Sequence, residues 1–351
     1  LRFPTHGSIG CASFHIGPHM TSHQLSSGNL TADRRAQYAR LYAEGGDFGA
    51  AIDLQVQALE LAPHWAAGWH QLGQYRETTG DMTGAAEAWR KVLVLSPADI
   101  FGAGLKLSLT GQADMPPAPP SEYVEALFDG YSDRFDTALV EDLGYCVPER
   151  LTALLSEVAG ADSQFAKVID LGCGTGLFGE RIRLRTSWLE GYDLSQGMLT
   201  KAGEKGIYDR LGQADILHGI PAARLLGAER ADLVVAADVL AYFGDLDPVM
   251  TVAANLTADG GLVALSLEAG LEDSDWLLQP SLRYCHGEAY LRRLLDQHGL
   301  DALRVSREPI RRDGADIISG FLAVARKRPT AAETDSIAAA VETDPAVVAL
   351  N

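Results

Sequence analysis

The sequence predicts an open α/β domain with parallel strands, preceded by a small domain built only of helices. Three observations carry this. Residues 168–176 read Val-Ile-Asp-Leu-Gly-Cys-Gly-Thr-Gly, a β-favouring apolar run that passes into a turn with glycine at alternate positions. Further along, residues 188–192 and 231–237 read as two more strands, closing on Asp193 and Asp238. Between residues 31 and 97, Gly46-Asp47 recurs as Gly80-Asp81, Ala51 as Ala85 and Pro63 as Pro97, each pair 34 residues apart.

The glycine turn organises the α/β part. Gly172, Gly174 and Gly176 bring bare backbone close to a ligand, and the helix expected to start near Leu177 offers free N–H groups to electron-rich atoms. That describes a nucleotide-like pocket. The dinucleotide fingerprint G-x-G-x-x-G requires glycine at 177, where the chain has Leu177, so the spacing here is G-x-G-x-G. The second strand is expected at 188–192 before Asp193, the third to end near Asp215, the fourth to run from 231 toward Asp238, and the fifth at 262–267 after a turn at 258–261. All four acids then stand on one rim, the side of an open sheet where ligands bind.

The Asp170-led glycine run, followed by Asp193-Leu194-Ser-Gln-Gly-Met198, by Asp215-Ile216 and by Asp238, resembles the class I S-adenosylmethionine-dependent methyltransferases. The resemblance implies a Rossmann-like, seven-stranded methyltransferase domain that takes S-adenosylmethionine. It implies cofactor contacts from Asp170, Gly172, Cys173, Gly174, Gly176, Asp193, Leu194, Met198, Asp215, Ile216 and Asp238. Asp193 would receive the ribose hydroxyls and Asp215 the adenine amino group, with Ile216 packed on the ring. Cys173 itself reads as a small buried filler.

Ser121 opens a helix whose Tyr123, Leu127, Tyr131 and Phe135 recur every fourth residue. The run Phe128-Asp-Gly-Tyr131-Ser-Asp-Arg-Phe135-Asp136 is similar to the N-terminal cover of small-molecule methyltransferases. This makes Tyr131 a candidate for contact at the sulfonium, since a ring face suits a cation. A helix is also expected at 148–158. Residues 268–282 are polar and irregular and are expected to lie over the strand ends as a lid or substrate-selecting insertion. His286, next to Tyr284 at its edge, is the candidate base for a hydroxyl acceptor. Residues 303–309 and 317–325 flank Arg312-Asp313-Gly314, a hairpin turn, and a closing antiparallel hairpin is a methyltransferase feature by resemblance. The fourth-strand tip lacks an Asn/Asp-Pro-Pro-aromatic signature, which by the same resemblance disfavours nucleobase amines and glutamine amides as acceptors.

In the N-terminal part, Trp69, Leu72-Gly73, Ala85, Trp89 and Pro97 stand at the signature positions of tetratricopeptide repeats. The first copy departs from them at Arg35, Tyr38-Ala39 and Gln55. Residues 99–110 are expected to cap the array. The resemblance implies a surface for a protein partner or for self-association.

The expected domains are a disordered leader at 1–29, the repeat domain at 30–111, a Pro-rich linker at 112–120, the methyltransferase domain at 121–328 and a disordered acidic tail at 329–351. The histidines at 6, 15, 19 and 23 are irregularly spaced and read as spectators. A net charge of −18 over 351 residues argues against nucleic acid, whose phosphates need a basic surface. Four cysteines without a C-x-x-C pair indicate neither a metal site nor a disulfide framework and fit a cytoplasmic location. No apolar run reaches the length of a membrane span.

The expected function is methyl transfer from S-adenosylmethionine to an O or N nucleophile, most simply of a small molecule. Two other readings stay open. One is a repeat scaffold with a vestigial methyltransferase domain; the other is a nicotinamide-dependent oxidoreductase, which Leu177 and the C-terminal hairpin oppose.

Overall fold

The computed structural model describes residues 26–132, 135–136, 139, 143–218, 220, 230–313 and 316–329. The histidines of the leader, the acidic tail beyond 329 and Gly314 of the hairpin turn lie outside the described residues.

The chain begins with two helix pairs, α1 (Leu30–Glu44) with α2 (Phe48–Leu61) and α3 (Ala66–Thr78) with α4 (Met82–Leu95). The 34-residue period is visible in the turns. Gly46 and Gly80 both sit at φ 82°, a conformation costly for any residue with a Cβ. Asp47 and Asp81 then cap α2 and α4 by accepting from Ala50 N and Gly84 N. Trp89 fills the interior of the second pair with no exposed surface. Its counterpart in the first pair is Gln55, equally buried, whose Nε2 donates to Gly68 O at 2.9 Å. The departure from the repeat pattern therefore exchanges an aromatic for an amide that ties the first pair to the second. A short helix, α5 (Ala103–Leu109), closes the array at the expected place, its N-terminus held by Asp99, which accepts from Ala103 N and Gly104 N.

After 112–120 comes α6 (Ser121–Asp129), which ends at Gly130 instead of running on to Phe135 as the aromatic spacing predicts. Helix α7 (Val147–Ala159) leads into the sheet. Its strands are β1 (Phe165–Leu171), β2 (Thr186–Asp193), β3 (Arg210–Gln213), β4 (Ala231–Ala236), β5 (Thr257–Ala269), β6 (Trp276–Leu278), β7 (Tyr284–His286), β8 (Leu300–Asp313) and β9 (Asp316–Lys327). The parallel order is β3-β2-β1-β4-β5, and β9 joins β5 antiparallel with β8 outside it. Helices α8 (Leu177–Ile182), α9 (Gln196–Glu204), α10 (Asp247–Leu256) and α11 (Glu288–Gln297) complete the domain. Strand alternation divides the core. Ile169, Val234 and Val263 pack with α10 and α11, whereas Val168, Leu233 and Val235 pack with α7 and α8 on the other face.

The seven expected strands are present as β3-β2-β1-β4-β5-β9-β8, and β6 and β7 bring the sheet to nine among the described residues. Residues 268–282, read as an irregular lid, instead contribute β6, which forms a hairpin with β7, and β7 extends β5 through Glu268 and Ala269. Strands of three residues carry too little periodicity to be seen in sequence. Likewise β5 begins at Thr257, and the expected turn at 258–261 is an irregularity in its pairing with β4.

The helical array does not hang on a free spacer. Leu105 of α5 shares a core cluster with Tyr123 and Leu127 of α6 and with Tyr242, Leu278 and Tyr284 of the sheet domain. The proline-rich stretch is bonded in as well, Pro117 O accepting from Gly244 N and Asp245 N, and Pro116 O from the Tyr284 hydroxyl.

Candidate active site

The carboxyl ends of β1 to β4 open on one cavity of about 210 Å³. Its floor is the glycine turn. Gly172 N and Cys173 N donate to Tyr192 O, which folds the turn back on β2. A Cβ on Gly172 would stand 2.4 Å from the Val239 side chain, and its φ is 66°. A Cβ on Gly174 would meet nothing closer than the Phe135 ring at 4.0 Å, so glycine there leaves room in the cavity itself.

The four strand-end acids all line this cavity. Asp193 accepts from Gly174 N and Ser195 N. A carboxylate has about four lone-pair sites, so it keeps acceptor capacity for a ligand. Burial holds its carboxyl above the ordinary range. Asp170 accepts from the Tyr208 hydroxyl at 2.7 Å through Oδ2, while its buried Oδ1 has no partner among the described residues. Burial, reinforced by Asp193 and opposed by Tyr208, pushes its carboxyl up to about 7. Two close carboxylates with an orphaned oxygen call for a cation.

Asp215 behaves differently. Burial raises its pKa, but the bonds from Ser121, Leu217 and His218 outweigh that and hold it below the ordinary value. Leu194, Met198 and Ile216 line the same wall. Asp238 adopts φ 59°, a strained conformation for a residue with a side chain. Its N donates to Ser266 Oγ and its Oδ1 accepts from Arg283 at 2.6 Å. Arg283 also donates to Glu268 and to the Tyr242 hydroxyl, and Arg311 donates to Glu268. Two guanidinium groups thus balance two carboxylates.

Tyr131 lines the cavity, edge-on to Phe135 at 5.9 Å, and Phe128 meets Tyr242 at 5.2 Å. Gly176 does not line it; at φ 91° it caps α8 beneath the Tyr208 ring. His286 is not brought there either, which corrects the expectation of a base at a lid edge. It lies inside β7 with no exposed surface, and its Nε2 donates to Phe243 O and Gly244 O. Burial drives its pKa down to about 4.

Sequence reasoning missed Ser121, Tyr145, Tyr208 and Arg283 as parts of the site. Ser121, Tyr208 and Arg283 act through contacts distant in sequence, and Tyr145 lines the cavity from a segment without a motif, so no local spacing announces them.

A Rossmann-like sheet closed by an antiparallel hairpin, with a glycine turn and acids on one rim, defines a class I S-adenosylmethionine-dependent methyltransferase domain, here preceded by tetratricopeptide repeats. Residues 169–263 match the family described as "Methyltransferase domain". The cofactor of this class is S-adenosylmethionine. Over 69 residues the chain is 36% identical to a TPR repeat-containing protein of Pseudomonas aeruginosa, a match covering 20% of this chain and 66% of that one. The chain thus spans slightly less than two thirds of that relative's length. Among solved structures, it is similar to DhpI in complex with SAH (19% identity, 60% of this chain and 98% of that one, TM-score 0.45). It is also similar to the N-methyltransferase NodS from Bradyrhizobium japonicum (20% identity, 52% and 87%, TM-score 0.40).

Proposed function

We propose that the protein transfers a methyl group from S-adenosylmethionine to an oxygen or nitrogen nucleophile of a small molecule. The observation that carries this reading is the convergence of Asp170, Asp193 and Asp215 on one cavity above a glycine turn. The residues present fit the cofactor. The orphaned Asp170 Oδ1 suits the methionine ammonium, the remaining acceptor capacity of Asp193 suits the ribose diol, and Asp215 with Ile216 and Met198 forms the adenine slot. Gly172, Cys173 and Gly174 make the wall at the methionine end.

When bound, S-adenosylmethionine supplies a methyl carbon whose bond to sulfur breaks, the pair staying on sulfur, as the acceptor's lone pair forms the new bond and the acceptor's proton passes to solvent. The protein's part is to orient and to exclude water. Phe128, Tyr131 and Phe135 cover the site with apolar surface, and Thr175 donates to Asp136 to pin that cover on the glycine turn. Tyr131, which lines the cavity, would offer its ring to the sulfonium. Asp238, fixed by Arg283 and Ser266, shapes the acceptor side. Among the described residues no helix is long and apolar enough to cross a membrane, which fits a cytoplasmic metabolite as the acceptor. The helical array supplies a surface for a protein partner or another copy.

The test is incubation with isotopically labelled S-adenosylmethionine and a cell extract. Label is expected in the small-molecule fraction. Label confined to nucleic acid or protein, or to none, contradicts the reading.

A further inference from the structure

The cavity has an aromatic part, some of whose rings the cofactor contacts leave unused. Its walls are Phe128, Tyr131, Phe135, Tyr145, Tyr242 and Phe243. Phe128 stands edge-on to both Phe135 and Tyr242, at 6.1 and 5.2 Å, an arrangement that presents flat apolar faces to a guest.

The charges around it are already spent. Arg283 is the one Lys or Arg among the described residues that line the cavity, and its guanidinium is divided between Asp238, Glu268 and Tyr242. A carboxylate or phosphate on the acceptor would be desolvated beside Asp170 and Asp238 with no uncommitted Lys or Arg among the described lining residues to receive it, a costly arrangement. An ammonium acceptor has no lone pair to give. What remains is an uncharged acceptor.

One polar atom in this part is uncommitted. Tyr145 lines the cavity and is 8% exposed, and its hydroxyl makes no hydrogen bond among the described residues. Burial first, then the charges of Asp238 and Asp170, pushes that hydroxyl well above its ordinary pKa, with Arg283 opposing. It stays protonated, able to accept from an O–H or N–H as well as to donate.

Resting on the methyl-transfer reading, we propose that the acceptor is an uncharged molecule with a flat aromatic body seated among these rings, its O–H or N–H nucleophile oriented by the Tyr145 hydroxyl. Accepting the nucleophile's hydrogen turns its lone pair toward the methyl carbon. Tyr145 is then a catalytic residue.

The experiment gives the full chain labelled S-adenosylmethionine and a panel: neutral phenols, anilines and indoles, the same rings bearing a carboxylate or phosphate, and aliphatic amines. Calorimetry with S-adenosylmethionine runs in parallel. Label in the neutral ring compounds is expected. With the best of them, Tyr145→Phe should lower kcat by about tenfold or more, with KM nearly unchanged and cofactor affinity intact. Label only in the anionic or aliphatic compounds, or in none although the cofactor binds, overturns the proposal, and so does an unchanged kcat in Tyr145→Phe. Absence of cofactor binding overturns the methyl-transfer reading, and this proposal with it.

Discussion

The Ser121 hydroxyl donates to Asp215 Oδ2 at 2.7 Å across 94 residues of sequence. The first residue of α6 is thereby tied to the acid at the third-strand tip. The other end of α6 is tied as well, Asp129 accepting from Ser195 Oγ and Gly197 N beside the Asp193 turn. The helix spans the cofactor side of the cavity with a polar clip at each end.

Removing the first clip leaves Asp215 held, among the described residues, by Leu217 N and His218 alone. Ser121→Ala is expected to weaken S-adenosylmethionine binding by about three- to tenfold, the worth of one typical hydrogen bond, while thermal stability changes little. Isothermal calorimetry measures the first and a melting curve the second. Unchanged affinity would remove Asp215 from the proposed adenine contact.

Asp170 predicts a pH dependence of cofactor binding. Its carboxyl, at about 7 in the free protein, lies above the ordinary 3.8, so the empty site takes up a proton as pH falls through 7. An ammonium needs the carboxylate. Affinity should therefore fall with pH below about 7, by up to about tenfold per unit. Asp170→Asn should bind weakly at every pH with that slope gone; a wild-type affinity flat from pH 8 to 5 would contradict the assignment.

His286 predicts a stability effect instead of a catalytic one. Its folded pKa, about 4, lies below the ordinary 6.5, so the unfolded chain binds more protons between those values. Stability is lost as pH falls from about 6.5 to 4, by on the order of 3 kcal/mol in all. Asp170 works in the opposite sense, its contribution lost as pH rises toward 7, so the informative quantity is the difference between wild type and His286→Gln. That difference should shrink steadily as pH falls from 6.5 to 4, and His286→Gln should bind cofactor as wild type does. A large loss of turnover without loss of stability would restore His286 as a base.

Gly73 tests the repeat packing independently of the site. A Cβ there would stand 2.3 Å from Trp89 Nε1. Gly73→Ala should destabilise the helical array by about 1–3 kcal/mol, the usual cost of overpacking, read as a lower melting temperature. A neutral result would mean that Trp89 is not locked where the structure puts it.

Much of this was legible in the sequence because it is local. The glycine turn, the acid at each strand end and the 34-residue repeat are short-range patterns, and the Leu177 helix start and the capping helix fell where patterns placed them. Asp170, Asp193, Asp215 and Asp238 could be put on one rim because a parallel sheet aligns its strand ends. What escaped was set by tertiary contacts. The β6–β7 hairpin has too few residues for a period. His286 looks like a surface histidine until the carbonyls of Phe243 and Gly244 are seen to hold it. Tyr145 and Arg283 reach the cavity from segments that carry no motif.

The most direct test is calorimetric titration of the full chain and of Asp193→Ala with S-adenosylmethionine and, separately, NAD. One S-adenosylmethionine per chain should bind the wild type and no NAD, and Asp193→Ala should lose at least about thirtyfold in affinity, about 2 kcal/mol for a buried charged acceptor. Binding of NAD without S-adenosylmethionine, or an Asp193→Ala protein that binds S-adenosylmethionine as tightly as wild type, would contradict the account.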